Sequence, residues 1–132
     1  MTGPCILIVE SDILVRHPLA QYLRDCEFRV LVAASYQEAR DHFADPQQLI
    51  DVVLADVEAG DETGFEFAFW IRRHHPGVQL ILAATLARTV EKAGQMCREN
   101  PVIKKPLDHR YVLDHIKRLL AARDRNKATD DG

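Results

Sequence analysis

The chain has 132 residues, enough for one domain with a buried core and too few for two ordinary domains. With 47% hydrophobic and 28% charged residues, its composition is that of a folded globular protein. The net charge of -3, with no basic stripe, argues against a nucleic-acid partner. The sequence contains no apolar run of membrane-spanning length and no signal peptide, so we expect a cytoplasmic protein with no membrane partner.

Five short apolar runs alternate along the chain with segments in which apolar residues recur every three or four positions. The runs are rich in Val, Ile and Leu, as is typical of strands covered on both faces. The periodic segments between them indicate helices. The predicted strands are Cys5–Val9, Arg29–Ala33, Val52–Ala55, Val78–Ala83 and Val102–Lys104.

Helix-start signals support the segments between the strands. Pro18 lies in the first segment, so that helix either begins late, near Arg16, or is kinked at the proline. Capping-box patterns predict the starts of the second and third helices, and a periodic segment between the last two strands indicates a fourth. The residues concerned are Ser35 and Glu38, Thr63 and Glu66, then Leu86, Val90, Ala93 and Cys97, with Asp108 as a cap for the last helix.

The alternation of strands and helices predicts a doubly wound α/β domain with a parallel sheet and right-handed crossovers. We place this domain at residues 1–122 and expect the polar residues 123–132 to form a flexible tail. In such sheets functional groups collect at the carboxyl ends of the central strands. Polar or charged side chains follow the predicted strands at Glu10, Ser11, Asp12, Asp56, Thr85 and Lys105.

The order of these residues resembles the receiver domain of two-component response regulators. The resemblance rests on "ILIVESD" at residues 6–12, on "DVVLADVEAGDETGFE" at 51–66, and on "VIKKPLD" at 102–108. Asp56 stands eight residues before Gly64, and Lys105 precedes Pro106. The resemblance implies a flavodoxin-like (βα)5 fold with strand order 2-1-3-4-5.

The resemblance also implies a chemistry. Asp56 would accept a phosphoryl group from a histidine kinase, a phosphotransfer protein or a small phosphodonor. Lys105 would pair with a phosphoryl oxygen. Mg²⁺ would be held by Glu10, Asp56 and the backbone carbonyl of Glu58, because hard cations prefer oxygen ligands. Beyond self-phosphorylation and dephosphorylation at Asp56, no enzymatic activity is expected.

Several positions depart from the pattern of the family. Ser11 occupies the position that usually carries a metal-contacting Asp, so we expect weak Mg²⁺ binding; Asp12 is adjacent but is better placed to cap a helix. The switch position, where the family usually has a Ser or Thr, falls on Ala84, which lacks the hydroxyl, or on Thr85 if the strand is one residue longer. Val102 stands where the family often has its switch aromatic.

Two functions therefore compete, with a third less favoured. The first is a stand-alone receiver that is phosphorylated on Asp56 and signals to a partner protein through a shifted surface. The second is a pseudo-receiver, which uses the same fold as a binding module without phosphorylation. An Asp-dependent phosphohydrolase is less favoured, because the remaining acids Glu10 and Asp12 precede Asp56 instead of following it.

The segment "GFEFAFWIRR" at residues 64–73 carries more apolar side chains than one helix face can bury. We expect part of this aromatic set, with Phe69 and Trp70 as the candidates, to be exposed and to form a partner or self-association surface. The alternative is that a neighbouring helix covers them. The three cysteines, Cys5, Cys26 and Cys97, fit no metal spacing, and we expect reduced thiols that pack in the domain.

Overall fold

The computed structural model of the protein describes residues 3–56, 63–84, 102–104 and 109–131. Strands and helices alternate along these residues, as the sequence predicts. In chain order they are β1 (Cys5–Val9), α1 (Ile13–Asp25), β2 (Arg29–Ala33), α2 (Tyr36–Ala44), β3 (Val52–Asp56), α3 (Gly64–His74), β4 (Gln79–Ala84), β5 (Val102–Lys104) and α4 (His109–Asp131).

The strands form one parallel sheet with the order β2-β1-β3-β4-β5. The α/β prediction and the order β2-β1-β3-β4 are confirmed, and the short strand β5 pairs with β4 at the edge. The helix predicted around residues 86–97 lies outside the described residues. Strands β3 and β4 both end one residue later than predicted, so Asp56 and Ala84 are themselves strand residues.

The core lies on both faces of the sheet, because successive side chains of a strand point to opposite sides. Leu7 and Val9 of β1 pack with residues of α2 and α3 on one face. Ile6 and Ile8 pack with residues of α1 and α4 on the other. Every residue of β1 is buried, which explains why this strand reads as an uninterrupted apolar run.

Helix α1 begins at Ile13, earlier than the start near Arg16 that Pro18 suggested. Asp12 is its N-cap, and its carboxylate accepts the backbone N–H of Leu14 at 2.9 Å. Pro18 therefore lies inside the helix, where it removes one backbone hydrogen bond. The cap and the burial of Leu19 and Leu23 offset this loss. The hydroxyls of Ser35 and Thr63 cap α2 and α3 as predicted.

The last helix extends into the polar residues predicted to form a tail. Its backbone is helical as far as Asp131, and the guanidinium of Arg123 donates to the carboxylate of Asp51 at 2.9 Å. The same carboxylate accepts the N–H of Cys5 at 2.8 Å. The folded domain therefore includes Arg123, beyond the boundary expected at residue 122. None of the helices in the described residues is long and apolar enough to cross a membrane.

Cys5 and Cys26 are free thiols, as expected, while Cys97 lies outside the described residues. Cys5 is buried in β1. Burial raises the pKa of the Cys5 thiol, and Asp51 acts in the same direction while Arg29 opposes it. A raised pKa keeps the thiol protonated, which suits a packing role.

The aromatic segment of α3 divides between core and surface. Phe65, Phe67 and Ile71 are buried, whereas Phe69 is 57% exposed. Trp70 is partly buried and packs against the core residues beneath it. The prediction that part of this aromatic set is exposed is therefore confirmed for Phe69, while Phe43 of α2 contacts the indole ring of Trp70, as in the alternative.

His115 of α4 is a polar side chain in an apolar setting. Both ring nitrogens are buried, and neither has a hydrogen-bond partner among the residues that the structure describes. Burial lowers the pKa of His115, and the neighbouring Arg118 lowers it further. The neutral ring is therefore favoured in the folded protein, while the unfolded chain takes up a proton more readily.

We expect His115→Phe to stabilise the domain by about 1 kcal/mol, because it removes two buried nitrogens that have no hydrogen-bond partner in the described part of the chain. It should also flatten the loss of stability below pH 6.5, where the unfolded state protonates its histidine before the folded state does. Urea unfolding at about pH 7.5 and about pH 5.5 measures both effects. The exposed residue His17, changed to Gln, is the control. Unchanged stability of His115→Phe at both pH values would contradict the interpretation.

Candidate functional site

Two carboxylates meet at the carboxyl edge of the sheet because of the register between β1 and β3. Val9 pairs with Ala55, so the next residues, Glu10 and Asp56, lie at the same level. Both line one small cavity, about 10 Å³ in volume, between the strand ends and α1. This is about the minimum space that holds one water molecule. The expectation that the acidic strand ends meet is thus confirmed for these two residues.

Glu10 is the more buried of the two acids, with only 4% of its surface exposed. Its carboxylate accepts the backbone N–H of Asp12 at 3.2 Å. Its carbonyl accepts a guanidinium N–H of Arg16 at 2.8 Å, and its own N–H donates to Ala33 at 3.0 Å. The main chain of Glu10 is thereby held on both sides. A carboxylate buried this deeply is costly unless a cation or a donor compensates it.

Ser11 and Asp12 are not among the residues that line the cavity of Glu10 and Asp56. Both residues are exposed. The carboxylate of Asp12 is engaged as the cap of α1 through the N–H of Leu14. The interpretation of Asp12 as a helix cap is therefore confirmed.

Asp56 is half-buried at the end of β3, where it pairs with Ala83 of β4. Its backbone carbonyl accepts a hydrogen bond from the hydroxyl of Tyr36, a contact that the sequence analysis missed. Tyr36 is the first residue of α2 and is almost completely buried. The capping box at Ser35 locates the start of this helix at the same edge of the sheet, but it does not indicate which group the hydroxyl meets.

The remaining predicted site residues come at or shortly after the ends of described strands in the sequence. Ala84 is the last residue of β4 and pairs with Lys104 of β5. Thr85, Lys105 and Glu58 lie outside the described residues. Their roles, and the choice between Ala84 and Thr85 at the switch position, stay predictions.

The donors that are described fit a hard cation with few protein ligands. Glu10 and Asp56 supply carboxylate oxygens around one cavity. Mg²⁺ is commonly bound through one or two carboxylates with several waters retained. Within residues 3–56, 63–84, 102–104 and 109–131, no group of three or more His, Cys, Asp or Glu side chains could hold a metal ion. Glu10 and Asp56 would supply carboxylate ligands to a Mg²⁺ ion that keeps several waters.

We expect Ser11→Asp to strengthen Mg²⁺ binding by roughly tenfold, since one added carboxylate contributes at least the energy of one charge-assisted contact. Calorimetric titration of the protein with MgCl₂ measures the affinity. Asp12→Ser is the matched control: serine retains the helix cap, and loss of the carboxylate should leave Mg²⁺ binding unchanged. Weaker binding in Asp12→Ser would show that Asp12 is a ligand after all.

The chain is similar to many solved structures. One is a CheY-like response regulator receiver domain protein from Methanospirillum hungatei JF-1, 22% identical, with a TM-score of 0.81 over 95% of this chain and 99% of that one. Another is the signal receiver domain of an HD domain-containing protein from Pseudomonas fluorescens Pf-5, 19% identical, with a TM-score of 0.81 over 97% and 94%.

A third similar structure comes from a family of streptococcal redox sensors described as evolved from two-component response regulators. It is 23% identical, with a TM-score of 0.83 over 96% of this chain and 55% of that one. A search of curated proteins gives no match. The family model of the response regulator receiver domain matches residues 6–117, most of the chain. Together with the parallel sheet and the paired acids at its edge, this match shows that the chain belongs to the response regulator receiver domain family.

Proposed function

We propose that this receiver domain accepts a phosphoryl group on Asp56. The observation that supports it best is the meeting of Glu10 and Asp56 at adjacent strand ends around one cavity. A carboxylate oxygen of Asp56 attacks phosphorus, and the bond from phosphorus to the donor breaks. The donor is the phosphohistidine of a kinase or phosphotransfer protein, or a small acyl phosphate.

In this proposal the neighbouring residues hold the metal ion and position the phosphoryl group. When bound, Mg²⁺ supplies charge neutralisation for the phosphoryl oxygens. Glu10, Asp56 and the backbone carbonyl of Glu58 would hold it. Lys105 would pair with a phosphoryl oxygen, and Thr85 or Ala84 would occupy the switch position. The position of the Glu10 carboxylate beside Asp56 at one cavity supports a cation there, since carboxylate oxygens are ligands that Mg²⁺ prefers.

Intact-mass analysis after incubation with acetyl phosphate tests the proposal. We expect a gain of one phosphoryl group that requires Mg²⁺ and is lost in Asp56→Asn. The matched control is Asp12→Asn, a nearby acid whose replacement can still cap α1, and it should be phosphorylated like the unmodified chain. A Mg²⁺-dependent adduct that persists in Asp56→Asn would refute Asp56 as the acceptor.

A pseudo-receiver is the second candidate, and the surroundings of Ser11 and Asp12 favour it. Ser11 is exposed, and the carboxylate of Asp12 is bound to the start of α1. The described residues therefore supply two carboxylates at this cavity. A site with a third carboxylate would bind Mg²⁺ more tightly. The streptococcal redox sensors, described as evolved from response regulators, show a similar fold in another role. If neither acetyl phosphate nor a cognate histidine kinase phosphorylates the chain, that result would favour this candidate.

We also propose that α3 provides a self-association surface. Glu66, Phe69 and Arg73 lie three and four residues apart and therefore share one stripe of the helix. All three are exposed, and the guanidinium of Arg72 lies 5.4 Å from the centre of the Phe69 ring. The stripe has an acid at one end, a base at the other and an aromatic ring between them.

This arrangement is self-complementary. If two copies pack with their α3 helices antiparallel, Glu66 of one faces Arg73 of the other, and the two Phe69 rings meet near the two-fold axis. A single pair of helices buries less surface than a standard stable interface. The expected occupant of this surface is therefore a second copy of the chain in a weak dimer.

Charge exchange on the stripe tests the dimer. We expect Glu66→Arg to weaken self-association, because it places like charges opposite one another, and we expect the double change Glu66→Arg with Arg73→Glu to restore it. Sedimentation equilibrium over a range of protein concentrations measures the association. Lys117→Glu, a charge reversal at an exposed position of α4, should have no effect. A chain that stays monomeric at all concentrations would contradict the proposal.

A further inference from the structure

Tyr36 connects the proposed phosphoacceptor to an array of aromatic rings. Its hydroxyl donates to the backbone carbonyl of Asp56. Its ring is stacked on Phe67 of α3, with 4.9 Å between centroids and 28° between planes. Both rings are almost completely buried. One side chain thus contacts the main chain of Asp56 at one end and the interior face of α3 at the other.

The array continues from Phe67 to the surface between α2 and α3. Phe67 stacks with Trp70 at 5.8 Å and 15°, and Trp70 meets Phe43 edge to face at 5.6 Å. The guanidinium of Arg40 lies over both Phe67 and Trp70, 5.3 Å and 5.1 Å from their ring centroids. The rings therefore form a continuous set of contacts from the carboxyl edge of the sheet to the partly buried indole of Trp70.

We propose that Tyr36 is a positioning residue for Asp56 and links the state of Asp56 to the aromatic face of α2 and α3. The inference depends on phosphorylation of Asp56, as proposed above. A phosphoryl group on the Asp56 side chain changes the charge beside a carbonyl that Tyr36 holds. Because closely packed rings move together between discrete arrangements, a shift of the Tyr36 hydroxyl is passed to Phe67 and Trp70.

A second route from Asp56 to Trp70 must be separated from this one. Trp70 lies on α3, which follows Asp56 in the chain, so a movement of the whole helix would also reach the indole. Only the first route depends on the hydroxyl oxygen of Tyr36. Tyr36→Phe removes the contact with the Asp56 carbonyl and retains the ring that stacks on Phe67. It therefore abolishes the first route and leaves the second.

Trp70 is the only tryptophan of the chain, so tryptophan fluorescence comes from this one site. The rings of His74 and His75 lie 5.2 Å and 5.3 Å from the indole ring, and protonation of His75 would alter its emission. Burial lowers the pKa of His75, and His74 lowers it further. At about pH 8, well above the ordinary histidine pKa, His75 is neutral and emission changes do not arise from its titration.

The experiment follows Trp70 emission and intact mass in the same sample during incubation with acetyl phosphate and Mg²⁺. The variants are the unmodified chain, Tyr36→Phe, and Tyr22→Phe as the matched control. Tyr22 loses the same hydroxyl but lies on α1, with its ring 5.2 Å from that of His109. We expect emission to change with phosphoryl gain in the unmodified chain and in Tyr22→Phe. Tyr36→Phe should be phosphorylated more slowly and show no emission change.

A second variant, Phe67→Leu, separates the role of the ring contacts from the role of the Tyr36 hydroxyl. It retains the Tyr36 hydroxyl and interrupts the ring contacts with Trp70, so the phosphorylation rate should stay near that of the unmodified chain while the emission response is lost. An emission change in Tyr36→Phe equal to that of the unmodified chain would overturn the inference and leave the proposed function intact. Absence of any phosphoryl gain at Asp56 would overturn both.

Discussion

The parallel pairing of β1 with β3 is the constraint on which the site depends. Val9 opposite Ala55 brings Glu10 level with Asp56, and only this register places both carboxylates at one cavity. A slip of one residue would send the side chains of a strand to the opposite face. Here both faces of the two strands are covered by helices, and the strand side chains fill both core clusters. The apolar packing of the centre therefore fixes the spacing of the acids at the edge.

Competition between two uses of one carboxylate shapes the acidic site. Asp12 lies next to Glu10 in sequence, but its carboxylate accepts the N–H of Leu14 and begins α1. An N-cap contributes about 1 kcal/mol to a helix, and α1 needs it because Pro18 removes a hydrogen bond inside the helix. A carboxylate aimed at the helix is not aimed at the cavity. The acid nearest to Glu10 in sequence thus serves the start of α1, and the residue between the two acids, Ser11, is neutral.

The sequence was sufficient wherever a local pattern determines the structure. Runs such as Cys5–Val9 predicted the central strands, and Ser35 and Thr63 predicted the helix starts, because burial and capping act within a few residues. The meeting of Glu10 with Asp56 followed from the rule for parallel sheets.

The sequence was insufficient where a contact joins distant segments. The hydroxyl of Tyr36 reaches a carbonyl 20 residues away, and Arg123 binds Asp51 across 72 residues. The exposure of Trp70 stayed open in the sequence because Phe43, which contacts it, lies on another helix. Periodicity indicates how many faces of a helix are apolar, but it does not identify the neighbour that covers a particular side chain.

Helix α3 carries both proposals that extend beyond the acidic site, and this gives them a testable relation. Phe67 and Trp70 belong to the inner ring array, while Phe69, next to Trp70 in sequence, belongs to the outer stripe. A change in the array that rotates α3 would alter the presentation of Phe69, so phosphorylation and self-association would be coupled. Such coupling is reciprocal for equilibrium binding. If phosphorylation of Asp56 changes the dimerisation constant, dimerisation must change the equilibrium of phosphorylation by the corresponding factor. A dimerisation constant that phosphorylation leaves unchanged would mean that the ring array and the outer stripe of α3 are not coupled.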